Sequence, residues 1–229
     1  MRKSNFVAAI IAFAFAAGPN SHTAVAFAAG ADGESKISVL IESVSAADTL
    51  KLRDGRAISA HISPGMYVVL SDGSAAFEPG KPASQALEQQ AEDGNPRELV
   101  AMLKMRPGVR VVGTFMPGEP FTVTVRPGDR LVFTSMFVQS NDLFYTPHPQ
   151  GIALFDGAGR PVTGDLTGVI QLWDAGTEVN EAPGLGPNQA PRQIGPNTGP
   201  TEGGIVRPVN DGFSYPATRE VIRVTFTAE

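Results

Sequence analysis

Two carboxylates four residues apart flank a glycine in the segment Trp173–Glu178, where Asp174 and Glu178 lie on either side of Gly176. A third carboxylate, Asp142, follows a long apolar stretch upstream. Hard cations such as Ca²⁺ take about six to eight oxygen ligands, and carboxylates from two loops can supply the charged part of that shell. Four extended residues span about 13 Å, so Asp174 and Glu178 can share an ion only if the chain curls between them, which the glycine permits.

The elements that must position these carboxylates are two predicted strands. Residues 130–138 are rich in β-forming side chains, and Asp142 lies where that strand leaves its sheet. Asp174 follows a second predicted strand, residues 168–173, in the same way. Because loops at one end of a β-sandwich converge, we expect Asp142 and Asp174 to be neighbours. Further oxygens could come from Asn141, Asn180 and Glu181.

Converging carboxylates repel one another and raise one another's pKa values unless a cation neutralises them. The spacing is also compatible with two ordinary turns whose carboxylates are solvated. No EF-hand loop is present, so the pattern does not identify a calcium site by itself.

Patterns along the rest of the chain predict an all-β domain. Alternating or β-rich runs predict strands at residues 36–44, 66–70, 109–115, 121–125, 130–138, 151–155, 168–173 and 220–227. Residues 82–92 predict a short helix, and Asn95, Pro96 and Glu98 predict the capping box of a second helix. Many short strands with one short helical hairpin as an insertion favour an antiparallel β-sandwich.

Residues 182–216 differ from the rest of the chain, because they are rich in Gly and Pro and poor in apolar side chains. This composition predicts a long surface loop stiffened by proline. A loop of this length in a compact domain can also serve in binding.

The N-terminus predicts export. Arg2 and Lys3 precede an apolar run, residues 6–17, and small residues suited to cleavage follow. The alternative, an uncleaved membrane anchor, needs about 20 apolar residues, and this run is shorter. We therefore expect residues 1–29 to be a signal peptide and residues 30–229 to be one secreted or periplasmic domain, with no transmembrane segment in the mature chain.

Net charge and the numbers of cysteine and histidine residues exclude several kinds of partner and of chemistry. Removing the signal peptide would change the formal net charge from −5 to −7, since Arg2 and Lys3 are its only charges. An acidic domain repels phosphate backbones, so nucleic acid is not an expected partner. There is no cysteine, which excludes disulfides, thiol catalysis and thiolate metal sites. The mature chain would keep only His61 and His148, too few for a histidine-rich transition-metal site.

Three blocks of the sequence resemble the spondin (F-spondin N-terminal) domain family. The blocks, in the family's order, are residues 81–95, residues 135–142 and residues 173–178. The runs Ser-Met-Phe-Val-Gln-Ser-Asn-Asp and Asp-Ala-Gly-Thr-Glu carry most of the likeness, which extends over residues 37–226. The chain resembles a bacterial secreted member of that family.

The resemblance implies a fold and a ligand set. The fold would be an antiparallel β-sandwich similar to synaptotagmin-type calcium-binding domains, with one Ca²⁺ held by loop carboxylates. The family's acidic ligands correspond to Asp142, Asp174 and Glu178, the last being an aspartate in animal members. Animal members join this domain to thrombospondin-type modules that are absent here, so their matrix role does not carry over.

Three functions remain open. The first is a secreted calcium-binding module for adhesion or binding, whose partner would be an extracellular protein, a glycan or a surface ligand. The second is a glycoside hydrolase that uses two of Asp142, Asp174 and Glu178 as its carboxylates. The third is a purely structural module. Low aromatic content, with one Trp and three Tyr, disfavours a sugar cleft, so we do not expect an enzyme.

Overall fold

The structure, a computed structural model, describes residues 33–71 and 73–229. The predicted signal peptide lies outside the described residues. The strands are β1 (Ser35–Ser43), β2 (Leu50–Lys51), β3 (Ala57–Ile58), β4 (Ile62–Leu70), β5 (Val109–Phe115), β6 (Phe121–Val125), β7 (Arg130–Phe137), β8 (Leu143–Thr146), β9 (Ile152–Ala153), β10 (Gly164–Asp165), β11 (Gln171–Asp174), β12 (Arg207–Pro208) and β13 (Ile222–Ala228). The helices are α1 (Gln85–Asp93), α2 (Arg97–Lys104) and α3 (Thr218–Val221). The prediction of a mostly β, antiparallel domain is confirmed.

A small sheet with the strand order β10-β13-β1-β6 forms one layer. Buried and more exposed side chains alternate along β1 and β13, because successive side chains of a strand point to opposite faces of the sheet. On β1, Ile37, Val39 and Ile41 are buried, and Val39 pairs with Phe226 of β13. The buried face of this sheet shares one hydrophobic cluster with Phe133 of the larger sheet, so the two sheets enclose a common core.

The larger sheet has the order β12-β11-β8-β7-β4-β5, with β9 paired to β7. Nearly every residue of β7 is buried, which explains its continuous apolar run. One face, including Phe133, packs toward the small sheet. The other face packs beneath the two helices, where Val132 and Trp173 join Leu87 and Leu99 in a second cluster.

The helical hairpin is confirmed, but its boundaries differ from those predicted. Helix α1 begins at Gln85 because the Ser84 hydroxyl accepts a hydrogen bond from Leu87 N at 3.2 Å, so the predicted start at residue 82 is early. The predicted capping box is only half present. Pro96 has helical dihedrals, as expected of the first helical position, and the Asn95 side chain accepts from Arg97 N at 3.3 Å. The reciprocal contact is missing, because the Asn95 N–H donates to Gln89 O at 3.2 Å and not to Glu98.

Two differences bear directly on the carboxylates. Residues 167–169 form a 3₁₀ turn, so the strand predicted at 168–173 begins at Gln171 and includes Asp174. Strand β8 was not predicted, although it follows Asp142 directly and pairs with both β7 and β11. Most of the segment 182–216 is irregular, as predicted. None of the helices in the described parts of the chain has the length and apolar character needed to cross a bilayer.

Candidate metal centre

A tight turn between β7 and β8 positions Asp142. The Ser140 hydroxyl donates to Phe137 O at 2.6 Å and accepts from Leu143 N at 3.1 Å, so one side chain closes both ends of the turn. Leu143 is opposite Asp174 in the register of β8 and β11. The turn therefore brings Asp142 next to Asp174, as the sequence predicted.

The two oxygens of Asp142 have different surroundings. Oδ2 accepts hydrogen bonds from Thr177 N at 2.7 Å, from Glu178 N at 3.2 Å and from the Thr177 hydroxyl at 3.2 Å. Oδ1 is buried and has no hydrogen-bond partner among the described residues. Because an unpaired buried charge is costly, this oxygen is the part of the site that most needs a ligand.

Asp174 curls the chain as the spacing requires. Its Oδ1 accepts from Gly176 N at 2.7 Å, and Gly176 has a φ of 71°. A Cβ at Gly176 would lie 2.5 Å from Ile205 N, so a side chain fits neither the conformation nor the space. The other oxygen, Oδ2, accepts from Asn180 Nδ2 at 3.1 Å and from Arg207 Nη2 at 2.9 Å.

Glu178 is buried, but its carboxylate is turned toward the Gly- and Pro-rich segment. Oε1 accepts from Gly199 N at 2.7 Å, and Oε2 accepts from Asn141 Nδ2 at 3.3 Å. A Cβ at Gly199 would collide with this carboxylate. Glu178 also forms an isolated antiparallel bridge with Thr201. These contacts give Glu178 a role in holding the segment, and its role as a third ligand stays a prediction.

The third carboxylate beside the two aspartates comes from Glu202. One oxygen each of Asp142, Asp174 and Glu202 lies within 4.8 Å of the other two. Within the described ranges, no other such group of three carboxylate or histidine side chains was found. Glu202 is brought there by two backbone hydrogen bonds, from its own N to Thr177 O at 2.8 Å and from Gly204 N to Gly176 O at 2.7 Å.

Arg207 is the cation nearest to this group. Its Nη2 donates to Asp174 Oδ2 at 2.9 Å and to Glu202 Oε1 at 2.6 Å. Arg207 is opposite Asp174 in the register of β11 and β12. It therefore pairs with two of the three carboxylates and leaves Asp142 without a cationic partner.

The pKa values reflect this uneven neutralisation. Burial and then repulsion from Asp174 raise the pKa of Asp142 to about 7. Burial also raises the pKa values of Asp174 and Glu178, although hydrogen bonds from Gly176 and Gly199 partly oppose the shift. At neutral pH Asp142 is thus partly protonated unless a cation is present.

The remaining oxygens predicted as ligands have other partners. Glu181 accepts from Asn188 N at 3.0 Å and from Asn188 Nδ2 at 2.9 Å. Asn141 bridges Glu178 and Glu181, donating to one oxygen of each. Asn180 donates to Asp174. Asn141 and Glu181 therefore stabilise the loops around the site, whereas Asn180 is in contact with one of its carboxylates.

Sequence reasoning missed Glu202 and Arg207, and it also missed Glu92 on α1. Glu202 and Arg207 belong to the segment 182–216. The unusual length of that segment was the one feature of the sequence that indicated a part in binding. Glu92 is 1% exposed and lies within the first resembling block.

No protein-family model matches this chain, and no curated protein matches it. The likeness to the spondin family therefore depends on the three blocks alone.

Proposed function

We propose that this protein is a secreted calcium-binding domain of the spondin type, used for adhesion or binding, in which Ca²⁺ braces the loops at one end of the sheets. The observation that carries the proposal is the unpartnered Oδ1 of Asp142, buried beside Asp174 and Glu202. A bound cation would give this oxygen the partner that the described residues do not supply.

The chemistry of the group favours a hard divalent cation. All three side chains offer carboxylate oxygens, the ligands that Ca²⁺ prefers. Nitrogen and sulfur donors, which select transition metals, are not part of the group. Asp142 and Asp174 are fully buried, which suits a small ion better than a sugar ring and supports a binding module over a glycoside hydrolase.

The wider features of the chain agree with this function. The antiparallel two-sheet core with loop carboxylates at one end supports the resemblance to synaptotagmin-type domains. The N-terminal pattern supports export to a compartment where Ca²⁺ is plentiful. Extracellular modules commonly bind Ca²⁺ with a Kd of about 10⁻⁴–10⁻³ M. The partner that fits such a module is a protein, glycan or surface outside the cell.

Terbium luminescence is a direct test, because Trp173 is the single tryptophan and precedes Asp174. We expect Tb³⁺ emission on excitation of tryptophan, and its loss when excess Ca²⁺ competes. Ten millimolar Ca²⁺ should raise the Tm by about 3–10 °C through its preferential binding to the folded state. Glu229→Gln, which removes an exposed acid far along the chain, is the matched control for loss of one charge.

The proposal fails if the wild-type protein gives no tryptophan-sensitised Tb³⁺ signal and no Ca²⁺-dependent shift in Tm. It also fails if Asp142→Asn and Glu229→Gln weaken Tb³⁺ binding equally, because binding would then depend on total charge.

A further inference from the structure

A second acidic position lies near the loop that carries Thr177 and Glu178. Glu92 is in the last turn of α1, where its side chain is 1% exposed and Asp93 follows it. That turn has no basic residue. The C-terminal end of a helix carries a partial negative charge and favours cations, so two acids in this turn are electrostatically unfavourable.

Neither carboxylate oxygen of Glu92 has a hydrogen-bond partner in the parts of the chain that the structure describes. The Thr177 hydroxyl is near enough to lower the pKa of Glu92, but its hydrogen bond goes to Asp142 Oδ2. Burying a polar group without a hydrogen-bond partner is unfavourable, and more so when the group is charged. A bound cation would give the Glu92 oxygens the partner that they lack among the described residues.

The charges that act most strongly on Glu92 are negative. Burial, with added repulsion from Glu178, Glu88 and Asp142, raises the pKa of Glu92 to about 8. Glu88 is one helical turn before Glu92, which places two like charges on one face of α1. Asn197 donates to Glu88 at 3.2 Å, but Glu92 receives no such contact from that segment.

Glu88 and Glu92 line the same cavity, which has a volume of about 380 Å³. Asp93 and several Gln and Asn side chains complete its wall, together with Pro196. Among the described residues, no Lys, Arg or His lines it. At about 30 Å³ per water molecule, the cavity has room for an ion that keeps much of its hydration shell.

We propose that Glu92 is the principal ligand of a second divalent cation, bound with Glu88 in this cavity between α1 and the segment around residue 196. Two carboxylates on one helix face plus water is the kind of shell that Mg²⁺ accepts and that Ca²⁺ tolerates. The site uses none of Asp142, Asp174 and Glu202 as ligands, so it goes beyond the proposed function.

The ion would connect parts of the molecule that are distant in sequence. Glu92 belongs to a helix that packs on β7 and β8, while Asn197 belongs to the long irregular segment. Occupancy of the cavity would therefore fix that segment against α1. It would also offset the negative charge that Glu92 adds next to Asp142 and Glu178.

Metal stoichiometry on the full chain tests the proposal. Isothermal titration with Ca²⁺, and separately with Mg²⁺, would be carried out on wild type, Glu92→Gln, Asp142→Asn and the exposed control Glu98→Gln. We expect two ions for wild type and for the control, one ion for each of Glu92→Gln and Asp142→Asn, and none for the double variant. The two titrations show which cation the cavity prefers.

Glu88→Gln adds an independent readout at the rim of the cavity, since that change leaves the buried position intact. It should weaken the second binding event about tenfold and leave the first unchanged. The proposal is overturned if wild type binds at most one ion, or if Glu92→Gln still binds two. The proposed calcium function fails instead if Asp142→Asn loses no ion, so the two failures are distinguishable.

Discussion

Two buried aspartates stand near opposite ends of the same central strand, β7, and they meet different surroundings. Asp129 precedes the strand, and Asp142 follows it by a short turn. Asp129 accepts from Arg110 Nε at 2.7 Å through one oxygen and from Arg126 N at 2.8 Å through the other. Asp142 has donors on one oxygen only, and no Arg or Lys in the described chain pairs with it.

The difference separates a structural carboxylate from one suited to a ligand. Asp129 closes the turn that begins at Arg126, and its charge is balanced by Arg110 within the fold. Burying a carboxylate in this way is tolerated because both oxygens are paired. Asp142 is buried as deeply, but the fold neutralises its neighbour Asp174 and leaves Asp142 for an external charge.

Neutralising Asp142 and Asp129 one at a time should give the largest difference in metal affinity and in stability between two variants. Asp142→Asn should weaken Tb³⁺ binding at least about 100-fold, because it removes a charged ligand from the centre of the group. Without metal, its Tm should stay level or rise, since an amide can keep an oxygen toward Thr177 and removes a buried charge beside Asp174 and Glu202. Differential scanning calorimetry in EDTA and Tb³⁺ titration measure the two quantities.

Asp129→Asn is the counterpart at the other end of the strand. It should leave Tb³⁺ affinity within about twofold and lower the free energy of unfolding by about 2 kcal/mol, because it breaks a largely buried charge pair. That corresponds to a fall in Tm of about 4–8 °C for a domain of this size. Equal effects of both variants on metal affinity would remove the distinction between the two aspartates.

The sequence predicted the parts of this comparison that follow from strand patterns. The β-rich run before Asp142 and the glycine after Asp174 were visible as patterns of period two and of turn chemistry. They were enough to predict that Asp142 and Asp174 are neighbours, and Gly176 curls the chain as expected. Local rules determine these features, so a single sequence reveals them.

The residues that the sequence did not predict reach the site through contacts between distant segments. Glu202 and Arg207 reach the site because residues 199–207 run back along residues 174–179, and no periodic pattern marks that return. The spacing of Glu178 predicted a metal ligand. Its carboxylate instead accepts from Gly199, and that contact also exists only because residues 199–207 run back along residues 174–179. The second half of the capping box at Asn95 failed for a smaller reason, since the Asn95 N–H donates to Gln89 O at the end of α1 and not to Glu98.

A change in pH should alter both the stability of the fold around Asp142 and Glu92 and its affinity for Ca²⁺. The pKa of Asp142 is raised to about 7 and that of Glu92 to about 8, above their ordinary values of 3.8 and 4.5. Their stabilising contribution is therefore fully present below pH 4 and is lost as pH rises through 7 and 8. Protons compete with metal for the same oxygens, so Ca²⁺ affinity should fall about tenfold from pH 7.5 to pH 6.

Calcium titrations at the two pH values check this prediction, with Tm measured in EDTA alongside. Asp142→Asn should flatten the pH dependence of the Tm. A Ca²⁺ affinity that is constant between pH 6 and pH 7.5 would show that no group with a raised pKa binds the ion.

A smaller effect on Tb³⁺ affinity should show whether Glu202 or Glu178 is the third carboxylate of the site. Glu202→Gln should weaken Tb³⁺ binding by about tenfold, because Glu202 lies within 4.8 Å of both aspartates. Glu178→Gln should weaken it by less than about threefold and lower the Tm instead, since Glu178 holds Gly199. The reverse order of affinities would identify Glu178 as the third ligand and require the segment at Gly199 to move.

The smallest expected effect concerns Arg207, whose position parallels that of Arg110 beside Asp129. Arg110 pairs with an aspartate that has no other role, whereas Arg207 pairs with two oxygens that an incoming cation would also use. Arg207→Gln keeps a hydrogen-bond donor and removes the competing charge, so Ca²⁺ affinity should rise about threefold. The Tm in EDTA should fall at the same time, because Asp174 and Glu202 lose their counter-charge. Arg110→Gln is the matched control and should lower the Tm without changing Ca²⁺ affinity. If Arg207→Gln instead weakens Ca²⁺ binding, the guanidinium positions the carboxylates for the ion, and competition between the two cations is the wrong description.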